Sequence, residues 1–146
     1  MDIRRVTTRH DAFAAQVLFD GPARPDATAR FLADSDHHML VAYVEDAPAG
    51  MVSGVETTSP DKGTEMLMCA LGVAERYRNR GIATALVRAL GDLAVECGCY
   101  GMRMLADPSD DAAMAAGRRA GGTDPSETTV LTWKFDAVPH GPPGSA

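Results

Sequence analysis

Tyr77-Arg78-Asn79-Arg80-Gly81-Ile82-Ala83-Thr84-Ala85-Leu86 lies between an apolar run over residues 66–73 and a helical pattern that continues to Cys97. A strand, then a turn with Arg and Gly, then a helix start is the geometry of an anion cradle. Successive backbone N–H groups at such a turn point into one concavity, and the unpaired donors of the helix's first turn join them. Arg78 and Arg80 add charge-assisted hydrogen bonds. Gly81 lacks the Cβ that would keep a phosphate away from the backbone. The stretch reads as a pyrophosphate site; the alternative is an ordinary strand–loop–helix junction with two solvated arginines. No Gly-Lys-Ser/Thr follows the turn and no Gly-x-Gly-x-x-Gly forms it, so it is neither a P-loop nor a dinucleotide turn.

Upstream of this turn, residues 3–6 form a candidate first strand. Thr8 or Arg9 opens a helical pattern in which Phe13, Val17 and Leu18 share a face, ended by Gly21-Pro22. A second helix starts at Pro25, a favoured first-turn residue, and runs to about Asp34. Residues 39–44 and 50–55 read as a hairpin joined by the polar turn Glu45-Asp46-Ala47-Pro48-Ala49. Residues 65–73 follow as a central strand, nearly continuous in apolar character. The adjacent His37-His38 reads better as an exposed strand start than as a base, because neighbours on a strand point to opposite faces.

Downstream, Ile82, Leu86, Leu90, Leu93 and Cys97 make a stripe at helical spacing, stopped by Gly98. Residues 102–105 are the next strand, a helix follows from Asp110 as its cap, and residues 130–135 close the sheet. The reading is one domain over residues 1–136, with a disordered tail over 137–146.

A chain of 146 residues, 45% apolar and 23% charged, suits one domain with one sizeable core. No run approaches a membrane span, and Met1-Asp2-Ile3-Arg4-Arg5 lacks a signal-peptide core, so a cytoplasmic location and no membrane partner are expected. Cys69, Cys97 and Cys99 lack metal-ligand spacing, so no metal is expected. The net charge of −6 argues against a nucleic-acid partner and is compatible with a cationic amine.

The spacing Arg78-x-x-Gly81-x-Ala83 resembles the Arg/Gln-x-x-Gly-x-Gly/Ala signature of the GNAT superfamily of N-acetyltransferases. Pro60-Asp61-Lys62-Gly63-x-Glu65, Leu71-Gly72-Val73-Ala74 and Asp107-x-x-Asp110-Asp111-Ala112 extend the likeness towards the aminoglycoside 3-N-acetyltransferase branch. The resemblance implies an α/β fold with a mostly antiparallel sheet whose fourth and fifth strands splay apart, and acetyl-CoA as cosubstrate. Leu71, Gly72 and Val73 would offer backbone groups to the pantetheine arm, and Arg78, Asn79, Arg80, Gly81, Ile82, Ala83 and Thr84 would hold the diphosphate. A bulge near Gly72 would free an N–H for the thioester carbonyl.

The implied reaction is direct attack by a primary amine, aminoglycosides being the first named class and polyamines, amino acids or a protein N-terminus the others. Relatives often carry a carboxylate where this chain has Ala70, and a tyrosine where it has Gly117. That leaves Asp107 as first choice for the catalytic base, with a turn before Pro108 as its other reading. Asp110, Asp111 and Glu65 are candidates for substrate binding, Asp110 also for a helix cap, and Glu56 for base or amine anchor. Cys69 is a remote candidate for a covalent acceptor. The rival to an active enzyme is an acyl-CoA-binding sensor or partner domain with weak catalysis. A homodimer is expected to use the last strand and Trp133.

Overall fold

A computed structural model describes residues 1–123 and 128–136. Five strands form one sheet in chain order: β1 Asp2–Arg5, β2 His37–Val44, β3 Ala47–Ser59, β4 Gly63–Val73 and β5 Met102–Met104. The first four pair antiparallel and β5 runs parallel to β4. The helices are α1 Arg9–Ala14, α2 Pro25–Ala33, α3 Ile82–Glu96 and α4 Asp111–Arg119. The expected mixed α/β sheet flanked by helices is present.

Side-chain alternation gives the sheet a core on each face. On β2, Leu40 and Ala42 enter the cluster beneath α3, whereas Val41 enters a second cluster with Val6, Ala12, Ala15 and Met51. The α3 stripe buries Ile82, Leu86, Leu90 and Ala94. It settles onto glycines of β3. A Cβ on Gly50 would stand 3.0 Å from Ile82 Cγ2 and 3.1 Å from Leu86 Cδ1, and one on Gly54 would stand 3.1 Å from Leu90 Cδ2. These two glycines set the height of α3 over the sheet, and with it the position of the helix N-terminus beside the end of β4.

Three expectations change. The β2–β3 turn is two residues, Glu45 and Asp46, both at positive φ (50° and 65°), a hairpin turn whose twist matches the flanking strands. The residues after it belong to β3, where a register shift opposite Ala42/Tyr43 absorbs Ala49. The first helix stops at Ala14 and tightens into a 3-10 turn, Gln16–Leu18, leaving Val17 exposed and off the shared face. Residues 128–136 contain no strand, and Val130, Leu131, Trp133 and Phe135 are exposed. The edge they were expected to join, β5, is three residues long, too short to template a six-residue strand. The tail over 137–146 lies outside the described residues, and no helix among the described residues is long and apolar enough to cross a membrane.

Candidate functional site

β4 pairs with β5 only at Met66↔Met102, Leu67↔Arg103 and Met68↔Met104. Beyond Met104 the strands part, and β4 runs on to Val73 with β3 on its other edge. Backbone groups of residues 69–73 that point away from β3 therefore face a gap instead of a ladder. A bulge opens that gap: Ser53 faces Ala70 and Gly54 faces Met68, so Cys69 is the extra residue. The distortion was expected near Gly72, which instead sits in register opposite Met51. The reason is parity. Met66 and Met68 must face α3, and Leu71 and Val73 pack against the same core, so one residue between the two pairs has to be skipped.

After β4 and a short 3-10 turn, Glu75–Tyr77, the chain passes through two left-handed residues, Asn79 (φ 62°) and Gly81 (φ 81°), on either side of Arg80. Gly81 is the N-cap of α3 and no side chain caps it. The first helical bond is Ala85 N–H to Gly81 O, 3.0 Å. The amides of residues 79–84 have no acceptor among the described residues. Ile82 and Thr84 bury their side chains, so only their backbone is free to meet a ligand. Arg78 Nε donates to Val73 O at 3.2 Å, tying the turn to the strand end. Arg80 lies over the buried Tyr77 ring, 5.5 Å from its centroid, a cation–π contact that holds the guanidinium beside the turn. Leu71, Gly72 and Val73 thus end the open edge of β4, and the Arg78–Val73 bond ties the turn to that strand end.

On the α1–α2 side of the bulge lies a cavity of about 590 Å³. Residues 69–72 and Met51 and Ser53 form its floor, and the segment after α1, with Leu18, Phe19 and Asp20, together with Phe31 of α2, forms its wall. Among the described residues, Asp20 is the one carboxylate in that lining, and it is exposed. The acidic residues singled out from the sequence are elsewhere. Asp107 is exposed, and its Oδ1 accepts from Ser109 N (2.9 Å) and Ser109 Oγ (2.7 Å). Those two donors, the backbone N–H first, hold its carboxyl below the usual value, which suits a turn and weakens a base. Asp110 caps α4 by accepting from Ala113 N at 3.1 Å, and Asp111 stands in the helix's first turn. Glu65 is ion-paired with Arg103 across β4 and β5. A Cβ on Gly117 would meet the terminal methyl of the Met104 side chain on β5 at 3.1 Å.

Cys69 lines the cavity, but burial pushes its thiol up, away from a reactive thiolate. His38 overturns the exposed reading: it is 2% exposed. Arg5 Nη2 donates to its Nδ1 (2.6 Å), so the ring proton sits on Nε2 and donates to Glu56 Oε2 (2.7 Å). Cys97 brings a third ligand-type atom within 4.8 Å of the other two. With both ring nitrogens engaged, the ring's lone pair faces Arg5 and not this cluster. Its partners are 33 and 18 residues away, so no local signal announces the network. Asp20 was also missed; its signal is an acid held between Phe19 and the helix-ending Gly21-Pro22.

The acetyltransferase (GNAT) family matches this sequence over residues 7–121. Among curated proteins, none is detectably similar in sequence. Solved structures share the fold at low identity. An aminoglycoside acetyltransferase from an uncultured soil metagenomic sample, in complex with trehalose, is 17% identical with a TM-score of 0.82, covering 92% of this chain and 95% of its own. An aminoglycoside 6'-N-acetyltransferase from Acinetobacter haemolyticus is 16% identical with a TM-score of 0.75 (93% and 100%). A ribosomal-protein-alanine N-acetyltransferase from Brucella melitensis is 22% identical with a TM-score of 0.74 (91% and 100%). The likeness thus extends to 6'-N-acetyltransferases and does not single out the 3-N branch.

Proposed function

The chain belongs to the GNAT family of acetyltransferases, and from that premise we propose that it acetylates the primary amine of a small molecule seated beside Asp20, with acetyl-CoA as donor. The observation that carries this reading is the row of amides over 79–84 without acceptors, at a helix N-terminus next to an open strand edge. That donor set fits a diphosphate: all donors, no competing carboxylate in the turn, and two arginines within it. In this reading the amides with Arg78 and Arg80 take the diphosphate, and the open edge of residues 71–73 pairs with the pantetheine amides. Acetyl-CoA held there supplies an acyl thioester.

An N–H on the open edge at the Cys69 bulge donates to the carbonyl oxygen as negative charge gathers on it. Asp20 draws the ammonium form of the amine towards the cavity and water carries off its proton. The free amine attacks the thioester carbonyl, the C–S bond breaks, and the nitrogen's second proton passes through water to the departing coenzyme A thiolate. Positioning both partners across the bulge accounts for most of the acceleration, up to about 7–11 kcal/mol. Asp107 keeps the turn, and Asp110 and Asp111 keep the start of α4. Aminoglycosides are the acceptors named for several structural neighbours, and the lining of this chain's own cavity decides whether so many positive charges can be met here.

The test is thiol release from acetyl-CoA against a panel of amines, with Arg80→Ala as control. That variant should raise the acetyl-CoA KM at least ten-fold; an unchanged KM refutes the cradle. Ala70 and Gly117, side chains without acid–base capacity, favour a second reading, an acyl-CoA-binding domain with weak catalysis. Thermal stabilisation by acetyl-CoA without thiol release from any amine would decide for it.

A further inference from the structure

Resting on the acetyl-transfer reading, we infer that the acceptor is a monoamine with an apolar aliphatic or aromatic body, its ammonium at Asp20 and its body among Leu18, Phe19, Phe31 and Met39, and that polycations are excluded. The cavity of about 590 Å³ admits either kind of molecule, since pockets for small ligands span about 300–1,000 Å³. Size therefore decides nothing, and charge does.

Each ammonium group taken from water needs an anion or several hydrogen-bond acceptors of its own, and an apolar wall offers neither. Among the described residues the lining holds one carboxylate, Asp20, at the exposed rim; its neutral polar side chains are the hydroxyls of Ser53 and Thr28 and the Cys69 thiol. Arg24 stands on the same wall and is ion-paired with Asp26 at 3.7 Å, so that neighbouring carboxylate is engaged as well. The carboxylates that could have served a polycation are committed elsewhere: Glu56 to His38, Glu65 to Arg103, Asp107 to Ser109 and Asp110 to the α4 cap. What the pocket offers is apolar surface, which rewards a hydrocarbon body.

The test uses the full chain saturated with coenzyme A and calorimetric titration of 2-phenylethylamine, hexylamine, spermidine, kanamycin and a short peptide with an N-terminal alanine. The two apolar monoamines should bind at least ten-fold tighter than the other three, and the order of kcat/KM in the acetyl-CoA assay should follow. Asp20→Asn should weaken 2-phenylethylamine ten-fold or more with coenzyme A affinity unchanged. Phe31→Ala should weaken 2-phenylethylamine at least three-fold more than it weakens ethylamine. Equal affinities, tighter binding of spermidine, kanamycin or the peptide, or no binding of the monoamines overturns the inference and leaves the cradle intact. Failure of coenzyme A to bind the parent protein sinks the acetyl-transfer reading and this inference together.

Discussion

Replacing Gly50 by alanine tests how the anion cradle is held in place. On its own, alanine in a strand gains about 0.5–1 kcal/mol over glycine, because the unfolded chain has less freedom to lose. Here the new methyl would stand 3.0 Å from Ile82 Cγ2, 3.1 Å from Leu86 Cδ1 and 3.2 Å from the Gly72 carbonyl oxygen. All three are tight, one is backbone, and the two side chains belong to the fully packed stripe of α3. Overpacking of this kind costs about 1–3 kcal/mol. The net is a loss of about 0.5–2 kcal/mol, or roughly 1–8 °C in Tm at about 2–4 °C per kcal/mol for chains of this size.

The methyl also pushes apart Ile82, the first residue of α3, and Gly72, on the facing strand end, which are the two walls of the proposed cofactor gap. Gly50→Ala should therefore raise the acetyl-CoA KM several-fold. Gly54→Ala is the comparison. It lies deeper under α3, where a methyl would stand 2.9 Å from Sδ of the fully buried Met66 and 3.1 Å from Leu90 Cδ2, away from Ile82 and Gly72. That variant should lose at least as much stability and keep its KM. Thermal melts and initial rates on the two variants are sufficient. A Gly50→Ala protein as stable as the parent, or more so, would refute the claim that the glycine contact sets the helix height.

His38→Ala leaves Arg5 and the largely buried Glu56 without their shared partner, and should cost about 2–3 kcal/mol in urea unfolding with acetyl-CoA KM unchanged. Leu86→Ala empties a fully buried position under α3 and should cost about 2–5 kcal/mol by the same measurement. The Asp107 carboxyl is held below its ordinary value of 3.8, so its contribution is complete above that pH and is lost as pH falls through the lower folded value. The Tm gap between the parent and Asp107→Ala should accordingly close in strong acid. At neutral pH the variant should keep its kcat; a hundred-fold fall would return the role of base to Asp107.

The elements that read true from sequence are those whose signal is local and periodic. The α3 stripe, the Pro25 helix start, the Asp110 cap and the positive-φ glycine at 81 each declare themselves within a few residues. Errors arose where partners distant in sequence decide. The bulge falls at Cys69 because residues on both sides must face one helix, a constraint seen only when β3 and α3 are in place. His38 is buried by Arg5 and Glu56, neither of them its sequence neighbour. Asp20 borders the cavity because the first helix breaks early and the chain after it passes over the end of β4, with Leu18 O beside Gly72. The carboxylates favoured from the sequence each have a structural use: Asp107 in its turn, Asp110 and Asp111 at the start of α4, and Glu65 with Arg103.

The skipped residue at Cys69 also governs how this pocket can vary. Loss of Cys69 alone would restore simple alternation and still leave Leu71 and Val73 facing α3, so the core would survive it and the bulge would not. The edge of β4 would then run straight past β5, with no kink to aim a backbone N–H at the cavity. A chain that relies on that N–H should therefore tolerate exchange of the side chain at 69 and not loss of the residue. Changes of length should be borne instead by the stretch between α1 and α2, where no strand partner counts the residues.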